Sequence, residues 1–465
     1  MVITAKKQNK KFDYICNACG TIHLKWIGKC EGCHEWNTIV EEERITSQPT
    51  HSSRIEYNDS ALQILPHVKE EDLEITATHM NEVDRVLGKG IVSSSAILIG
   101  GEPGIGKSTL LLQISQSIAI QKKHVLYITG EEAASQIKMR ADRLSVNSEN
   151  IAVAMSTELR SIKSIIESHN PEATLVIIDS IQTLYHSEIN SAPGTVIQIR
   201  TAALELINMA KARGFSLILV GHVTKEGQIA GPKILEHMVD VVLYFESEKE
   251  QKYRIIRGIK NRYGPANEIG IFEMTSSGLA EVNNPSTIFL PAAQDNTSGS
   301  SIFAGLQGSR LIFNEIQALI TPTFLANPRR AIVGWDSNRL AMIIAILNAR
   351  MKIKLLDKEI YLNVVGGLKI SDPGADLAVV AALVSAANSI VITRKCLFIG
   401  EVGLSGEVRQ VQSLSHRLIE SEKLGFEYAI VPRFNSSKEK ECLPGKMKIH
   451  EISTIHELVP AIMSI

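Results

Sequence analysis

The chain has 465 residues, of which 44% are hydrophobic and 21% charged, with 49 lysines and arginines against 50 aspartates and glutamates. That length divides into two or three ordinary domains, and the composition excludes a disordered chain or a long coiled coil. A net charge of -1 excludes a partner held by the overall charge, so any nucleic acid must meet a local basic surface.

The N-terminal stretch "MVITAKKQNKKFDYIC" has lysines but no apolar run behind them and does not read as a secretory signal. The most apolar segments, such as "LAVVAALVSAANSIVI", are interrupted by Ser and Asn and fall short of the roughly 18 residues a membrane span needs. A cytoplasmic protein without membrane contact is expected. Next come Cys16 and Cys19, then Cys30 and Cys33, two CxxC pairs separated by a hairpin-length spacer. Two such knuckles facing each other complete a tetrahedral four-sulfur shell that suits a structural zinc. A redox CxxC is the alternative. His23 and His34 read as ordinary ribbon residues. Residues 1–42 are thus expected to be a four-cysteine zinc finger whose folding depends on metal, and the polar, turn-rich residues 43–70 a linker.

Residues 71–285 alternate apolar strands with helical patterns, the mark of an α/β fold with a parallel sheet covered by helices. The strands "SAILIGG", "HVLYITG", "ATLVIID", "FSLILVGH" and "DVVLYFE" are near-continuous apolar runs, as in sheets buried on both faces, and "YRIIRGIKNRYGPANEIGIFEM" reads as a hairpin. Between the first strand and the helix "STLLLQISQSIAI" lies the P-loop pattern Gly101, Glu102, Pro103, Gly104, Ile105, Gly106, Lys107, Ser108, Thr109. Its glycines let backbone N–H groups curl around the phosphates of ATP, Lys107 pairs with the β- and γ-phosphates, and the Ser108 hydroxyl ligates Mg²⁺. Asp179, ending "TLVIID", is the candidate second magnesium carboxylate. Glu131 and Glu132 end the strand after the P-loop, and Glu131 is the candidate base that orients the attacking water. Acids complementing a helix N-terminus are the alternative.

A glutamate at that position resembles the RecA-type ATPases. "GEPGIGKSTLLLQ", "GEEAASQIKMRADRL", "VIIDSIQTLY", "LVGHVTKEGQIAGPKILEHMVDVVLYFE" and "KNRYG", following four cysteines, resemble over essentially the whole chain the RadA (Sms) family of bacterial DNA-repair proteins. The family's KNRFG element is here Lys260, Asn261, Arg262, Tyr263 and Gly264. Its similarity to the K-x-R element of ring helicases implies that Lys260 and Arg262 act catalytically by reaching a neighbouring subunit's phosphates, with a DNA-touching basic turn as the alternative. His222 stands where RecA-like folds place a γ-phosphate sensor, and Lys225 and Lys233 are candidate DNA contacts.

Residues 286–465 mix strands such as "SRLIFNEIQALI" and "EIYLNVVGGLKI" with helices around 338–351, 374–388 and 412–424, an α+β pattern. This segment resembles the proteolytic domain of Lon. In "SDPGADLAVVAALVSA" the place of the family's nucleophilic serine falls on Gly374, and that of its lysine base on Arg417. Glycine has no oxygen to attack a carbonyl and a guanidinium cannot act as a proton acceptor, so a catalytically inactive domain is expected. Arg329, Arg330 and Arg339 are candidate DNA contacts there, with a solvated charged face as the alternative. The resemblance implies a DNA-dependent ATPase of recombinational repair that binds single-stranded and branched DNA and drives branch migration. It further implies a homo-oligomeric ring, a hexamer, and a recombinase of the RecA type as partner. A Lon-type ATP-dependent protease and an ATP-gated DNA-binding scaffold without motor activity are the alternatives.

Overall fold

The computed structural model describes residues 12–16, 21–32, 35–36, 38–43, 74–169, 173–222, 234–246, 252–282, 297–323, 327–366, 369–435 and 443–465. They fall into two compact units that divide after Glu281. At the N-terminus, β1 (Phe12–Cys16) pairs antiparallel with β2 (Ile22–His23) and β3 (Ile39–Glu43), a sheet too small for a core beyond Cys16, Cys30 and Ile39. So few buried residues need a staple.

The rest of the first unit begins with β4 (Ile75–Thr76), α1 (Asn81–Leu87) and β5 (Ile91–Val92). It continues through β6 (Ala96–Gly101), α2 (Lys107–Ile120), β7 (His124–Thr129), α3 (Ala134–Arg143), β8 (Ile151–Met155), α4 (Leu159–His169) and β9 (Ala173–Asp179). Then follow α5 (Val196–Arg213), β10 (Ser216–His222), α6 (Ile234–Met238), β11 (Val241–Glu246), β12 (Tyr253–Asn261), β13 (Ile269–Thr275) and β14 (Gly278–Glu281). One nine-stranded sheet has the order β14-β13-β12-β11-β6-β10-β9-β7-β8. From β11 to β8 all neighbours are parallel, and β12 to β14 extend it antiparallel. Residues alternate between two cores. Ile97 and Ile99 join Leu110, Leu111 and Ile114 of α2 on one face, while Ala96 and Leu98 join Ile162 of α4 and Ile199 and Leu206 of α5 on the other. That double burial is why these strands read as unbroken apolar runs.

The edge strand β8, "IAVAM", was absent from the expected strands. Val153 and Met155 are 40% and 61% exposed while Ile151, Ala152 and Ala154 are only partly buried, so the strand does not form a buried run.

The second unit holds β15 (Ser300–Gln307), β16 (Arg310–Pro322), β17 (Arg330–Val333), α7 (Ser337–Arg350), β18 (Lys358–Val364) and α8 (Asp376–Asn388). After these come β19 (Cys396–Phe398), β20 (Glu401–Val402), β21 (Val408–Arg409), α9 (Leu414–Lys423), β22 (Tyr428–Pro432), β23 (Lys448–Ile452) and α10 (Leu458–Met463). Its mixed seven-stranded sheet runs β17-β18-β16-β15-β19-β22-β23. In α8 every residue from Asp376 to Ser385 is buried, so this helix is apolar on all sides because it lies inside a core rather than in a membrane. No described helix is long and apolar enough to cross a bilayer.

Candidate functional site: a phosphate-binding cleft

The parallel strands end on one edge, and the turn after β6 opens there, where ligands gather in open α/β sheets. Between Gly101 and Lys107 the chain reverses through Gly104 at φ +75° and Gly106 at φ +115°, left-handed values that glycine adopts without a Cβ clash. A Cβ on Gly106 would also lie 2.7 Å from Met274 Cε. The helix α2 starts at Lys107, so its first free N–H groups and positive end face the turn.

Lys107 is 5% exposed. Its Nζ donates to the carbonyls of Gly101 at 2.7 Å and Glu102 at 2.9 Å and lies 3.4 Å from His222 Nδ1. Burial lowers its pKa, while the charges of Asp179 and Glu131 act in the opposite direction. Ser108, in the first turn of α2, donates to Asp179 Oδ2 at 2.7 Å, and the Tyr127 hydroxyl donates to the same oxygen at 2.5 Å. Burial and the adjacent Asp179 hold the Tyr127 hydroxyl well above the usual tyrosine range, so it remains a donor. Ser108 and Asp179 thus bring two hard oxygens together, a donor set that fits Mg²⁺.

Glu131 follows β7 at the same edge. A Cβ on the intervening Gly130 would come within 2.0 Å of Thr183 Oγ1, so only glycine lets this turn approach the segment after β9. Glu131 Oε1 accepts from Ser180 Oγ at 2.5 Å and from His222 Nε2 at 3.0 Å. Partial burial pushes its pKa up, but the hydrogen bonds from Ser180 and His222 and the Lys107 charge prevail and hold it below the usual glutamate value. Glu131 is therefore ionised at neutral pH and able to take a proton. Glu132 is differently placed, because the Arg140 fork donates to both its oxygens at 2.8 Å. That bidentate pair neutralises Glu132 and leaves Glu131 the freer base.

A cavity of about 450 Å³ collects these groups, with Arg143, Arg254 and Met274 also on its wall. It brings together Lys107, Ser108, Thr109, Glu131, Asp179 and His222. Tyr127, Ser180, Arg140 and Arg254 were not anticipated. Tyr127 sits in an apolar strand run and Arg140 in a helix, and nothing local distinguishes either from a structural residue.

Lys260 and Arg262 do not enter this cavity. Asn261 pairs with Val241, at the start of β11 and beside Ile97, so the KNRYG turn lies at the amino edge of the parallel strands, opposite the P-loop. There Lys260 Nζ donates to the carbonyls of Glu236 at 2.8 Å and Val239 at 2.7 Å, and Arg262 Nη1 donates to Asp240 Oδ1 at 3.1 Å. Half of the Arg262 side chain remains exposed. Lys225 and Lys233 lie outside the described residues.

In the ribbon, Cys16 and Cys30 are fully buried. Cys30 Sγ accepts from the Gly32 N–H at 3.3 Å and lies 3.4 Å from His23 Nε2, and Cys16 Sγ lies 3.1 Å from Thr38 Oγ1. A buried sulfur that receives an N–H, as that of Cys30 does, suits a thiolate on a metal. Cys19 and Cys33 lie outside the described residues, and among those described no group of three or more ligands is assembled.

In the second unit, Gly374 and Arg417 are neighbours. A Cβ on Gly374 would stand 3.0 Å from Asp372 Oδ1 and 3.5 Å from Arg417 Nη1. Arg339 donates its Nε to Asp376 Oδ1 at 2.9 Å and pairs with Asp376 through its other end as well, so this arginine anchors the start of α8. Arg329 and Arg330 are exposed.

The chain matches three families, described as the rubredoxin metal binding domain over residues 14–41, the AAA domain over 72–228, and subunit ChlI of Mg-chelatase over 330–435. It is 46% identical over 459 residues to DNA repair protein RadA of Brucella abortus, covering 97% of each chain. The Rickettsia typhi protein of that name is 50% identical over 426 residues, covering 92% of this chain and 95% of its own, and the Bacillus subtilis one 46% over 430 residues, covering 91% and 93%. With a metal-binding ribbon, a P-loop ATPase core and a ChlI- and Lon-like C-terminal unit in that order, the chain belongs to the RadA family of DNA repair proteins.

Proposed function

We propose that this protein is a DNA-dependent ATPase of recombinational repair that binds single-stranded and branched DNA and uses ATP turnover to drive branch migration. The supporting observation is the single cleft in which a P-loop lysine, a serine–aspartate pair and an ionised glutamate converge, in a chain of this family. The triphosphate would lie along the P-loop N–H groups, with Lys107 exchanging its two carbonyl partners for phosphate oxygens. Ser108 and Asp179 would hold Mg²⁺, which when bound neutralises phosphate charge. Glu131 orients a water and accepts its proton. His222, between Lys107 and Glu131, donates to the latter through Nε2.

Lys260 and Arg262, at the sheet edge away from their own P-loop, would complete a neighbouring subunit's site in a hexameric ring in the cytoplasm. A RecA-type recombinase is the expected partner. The C-terminal unit would build the assembly without cutting peptides, since Gly374 lacks a nucleophile and Arg417 cannot act as a base.

Phosphate release measured with and without single-stranded DNA tests this reading, together with strand extension on a three-strand intermediate. DNA should stimulate turnover and ATP should be required for strand movement. An unchanged rate with no movement would leave only an ATP-gated scaffold. Glu131→Gln should still bind nucleotide while turnover drops by about 10²-fold or more. Near-parental turnover would remove Glu131 from the mechanism. Zinc would fill the ribbon's four-cysteine shell, so Cys30→Ser should lose bound metal while retaining nucleotide binding. Equal zinc content in variant and parent would contradict that assignment.

A further inference from the structure

Two of the chain's three tryptophans, Trp26 and Trp36, lie in the ribbon and are 57% and 69% exposed, whereas Trp335 is only 9% exposed. Neither belongs to the small core of Cys16, Cys30 and Ile39 or to the partly buried residues packed on it. Single exposed apolar residues are ordinary, but these two indoles converge on one glycine. A Cβ on Gly28 would lie 3.6 Å from the six-membered ring of Trp36 and 3.9 Å from that of Trp26. Both rings are thus within ordinary contact distance of one point on the backbone.

Both rings are also held in place. Trp26 Nε1 donates to the Ile39 carbonyl at 3.2 Å. Trp36 forms an antiparallel bridge with Lys29, whose Nζ lies 5.8 Å from the centre of its ring. Rings fixed before contact lose little freedom when something stacks on them. Lys25 adjoins Trp26 in the sequence, Lys29 is the cation at the Trp36 ring, and Lys6, Lys7, Lys10 and Lys11 precede β1 in the sequence. Over the ribbon as a whole the six lysines are balanced by six acids, Asp13, Glu31, Glu35, Glu41, Glu42 and Glu43, so the positive charge that matters is the local one of Lys29 at the Trp36 ring and of Lys25 next to Trp26.

Aromatic faces beside lysines fit a polyanion that carries flat rings. Bases in a duplex are already stacked on one another, whereas those of a single strand present open faces to such a platform. We propose that Trp26 and Trp36 form a base-stacking platform through which the ribbon holds single-stranded DNA. This rests on the reading of the protein as a DNA-binding ATPase, and the test separates the two.

Full-length, zinc-loaded protein carrying Trp335→Phe reports only on the ribbon tryptophans. It is titrated with a labelled oligo(dT), with binding followed by anisotropy and stacking by quenching of tryptophan fluorescence. Quenching should saturate together with anisotropy, and an abasic oligomer of equal length should bind without quenching. Trp26→Ala combined with Trp36→Ala should weaken binding about tenfold, or about 1.4 kcal/mol, and the paired Phe substitutions should restore most of it. Zinc content equal to the parent's shows that a variant has kept its fold. If a variant loses zinc, the contrast between oligo(dT) and abasic quenching decides. Binding without quenching, or equal quenching by the abasic strand, overturns the platform and leaves DNA binding standing. No anisotropy change in the parent overturns both and points to a protein occupant.

Discussion

Lys107→Ala should lower ATP turnover by about 10³-fold or more and remove tight nucleotide binding. Loss of a single charge-stabilising donor in other enzymes costs about 10²–10³-fold in rate, and Lys107 contributes to ground-state binding as well. It is the cation placed by the turn itself, with its Nζ 2.7 Å from the Gly101 carbonyl and 2.9 Å from that of Glu102, where phosphate oxygens can replace those partners. Arg140 cannot substitute because its fork is committed to both oxygens of Glu132. Arg254 also lines the cavity, but it is carried by β12 and its Nε donates to the Ile105 carbonyl. The variant should keep its fold, since Lys107 itself lines a cavity of about 450 Å³, from which water can take the place of its amine. Nucleotide affinity by calorimetry and phosphate release by a coupled assay check the result. Parental values in both would show that the phosphates bind elsewhere.

The P-loop and the parallel strands could be read from sequence because their causes are local. Glycine spacing sets the turn, and burial on both faces writes an unbroken apolar run. Asp179 and Glu131 were also legible, since each directly follows such a run and the strand ends share one edge. The closing contacts were not. Tyr127 reaches Asp179, Ser180 reaches Glu131, and His222 reaches Glu131 from 91 positions away, all through strand order in the sheet. No periodicity reports that β7 and β10 flank β9. Strand order likewise decides that Lys260 and Arg262 lie at the edge opposite the P-loop. For Arg339, an exposed-looking basic run concealed a partner 37 residues later, the buried Asp376 at the start of α8. The short strand β8 was missed for a different reason, because an edge strand with exposed apolar residues has no pattern of its own.

Arg417→Ala should destabilise the C-terminal unit by about 3–5 kcal/mol, the usual consequence of stranding one member of a buried ion pair. Arg417 is 2% exposed, and its Nη1 lies 2.6 Å from Asp372 Oδ2 and donates to the Ala304 carbonyl at 3.0 Å. Its Nε donates to the Gln412 carbonyl at 3.1 Å, and its guanidinium carbon lies 5.8 Å from the centre of the Phe303 ring. Asp372 accepts from the Gly374 N–H through Oδ1 at 2.9 Å, so removing the arginine leaves the carboxylate without its counter-charge and two carbonyls without the arginine donor, and loosens the turn into α8. Denaturant unfolding followed at Trp335, in a chain with Trp26 and Trp36 replaced by Phe, reads this unit directly. An unchanged transition would mean that the pair contributes nothing. The same contacts explain why Gly374→Ser alone should not restore peptide cleavage. A Cβ there stands 3.0 Å from Asp372 Oδ1 and 3.5 Å from the guanidinium; Arg417 cannot take the serine proton, and the Asp372 carboxylate is a weak base held by that arginine and by the backbone N–H of residue 374. Casein incubated with this variant and ATP should therefore remain intact. Adding Arg417→Lys would supply an amine but shorten the reach to Ala304 and Gln412, so any gain in chemistry should come with a loss in stability that the Trp335 transition records.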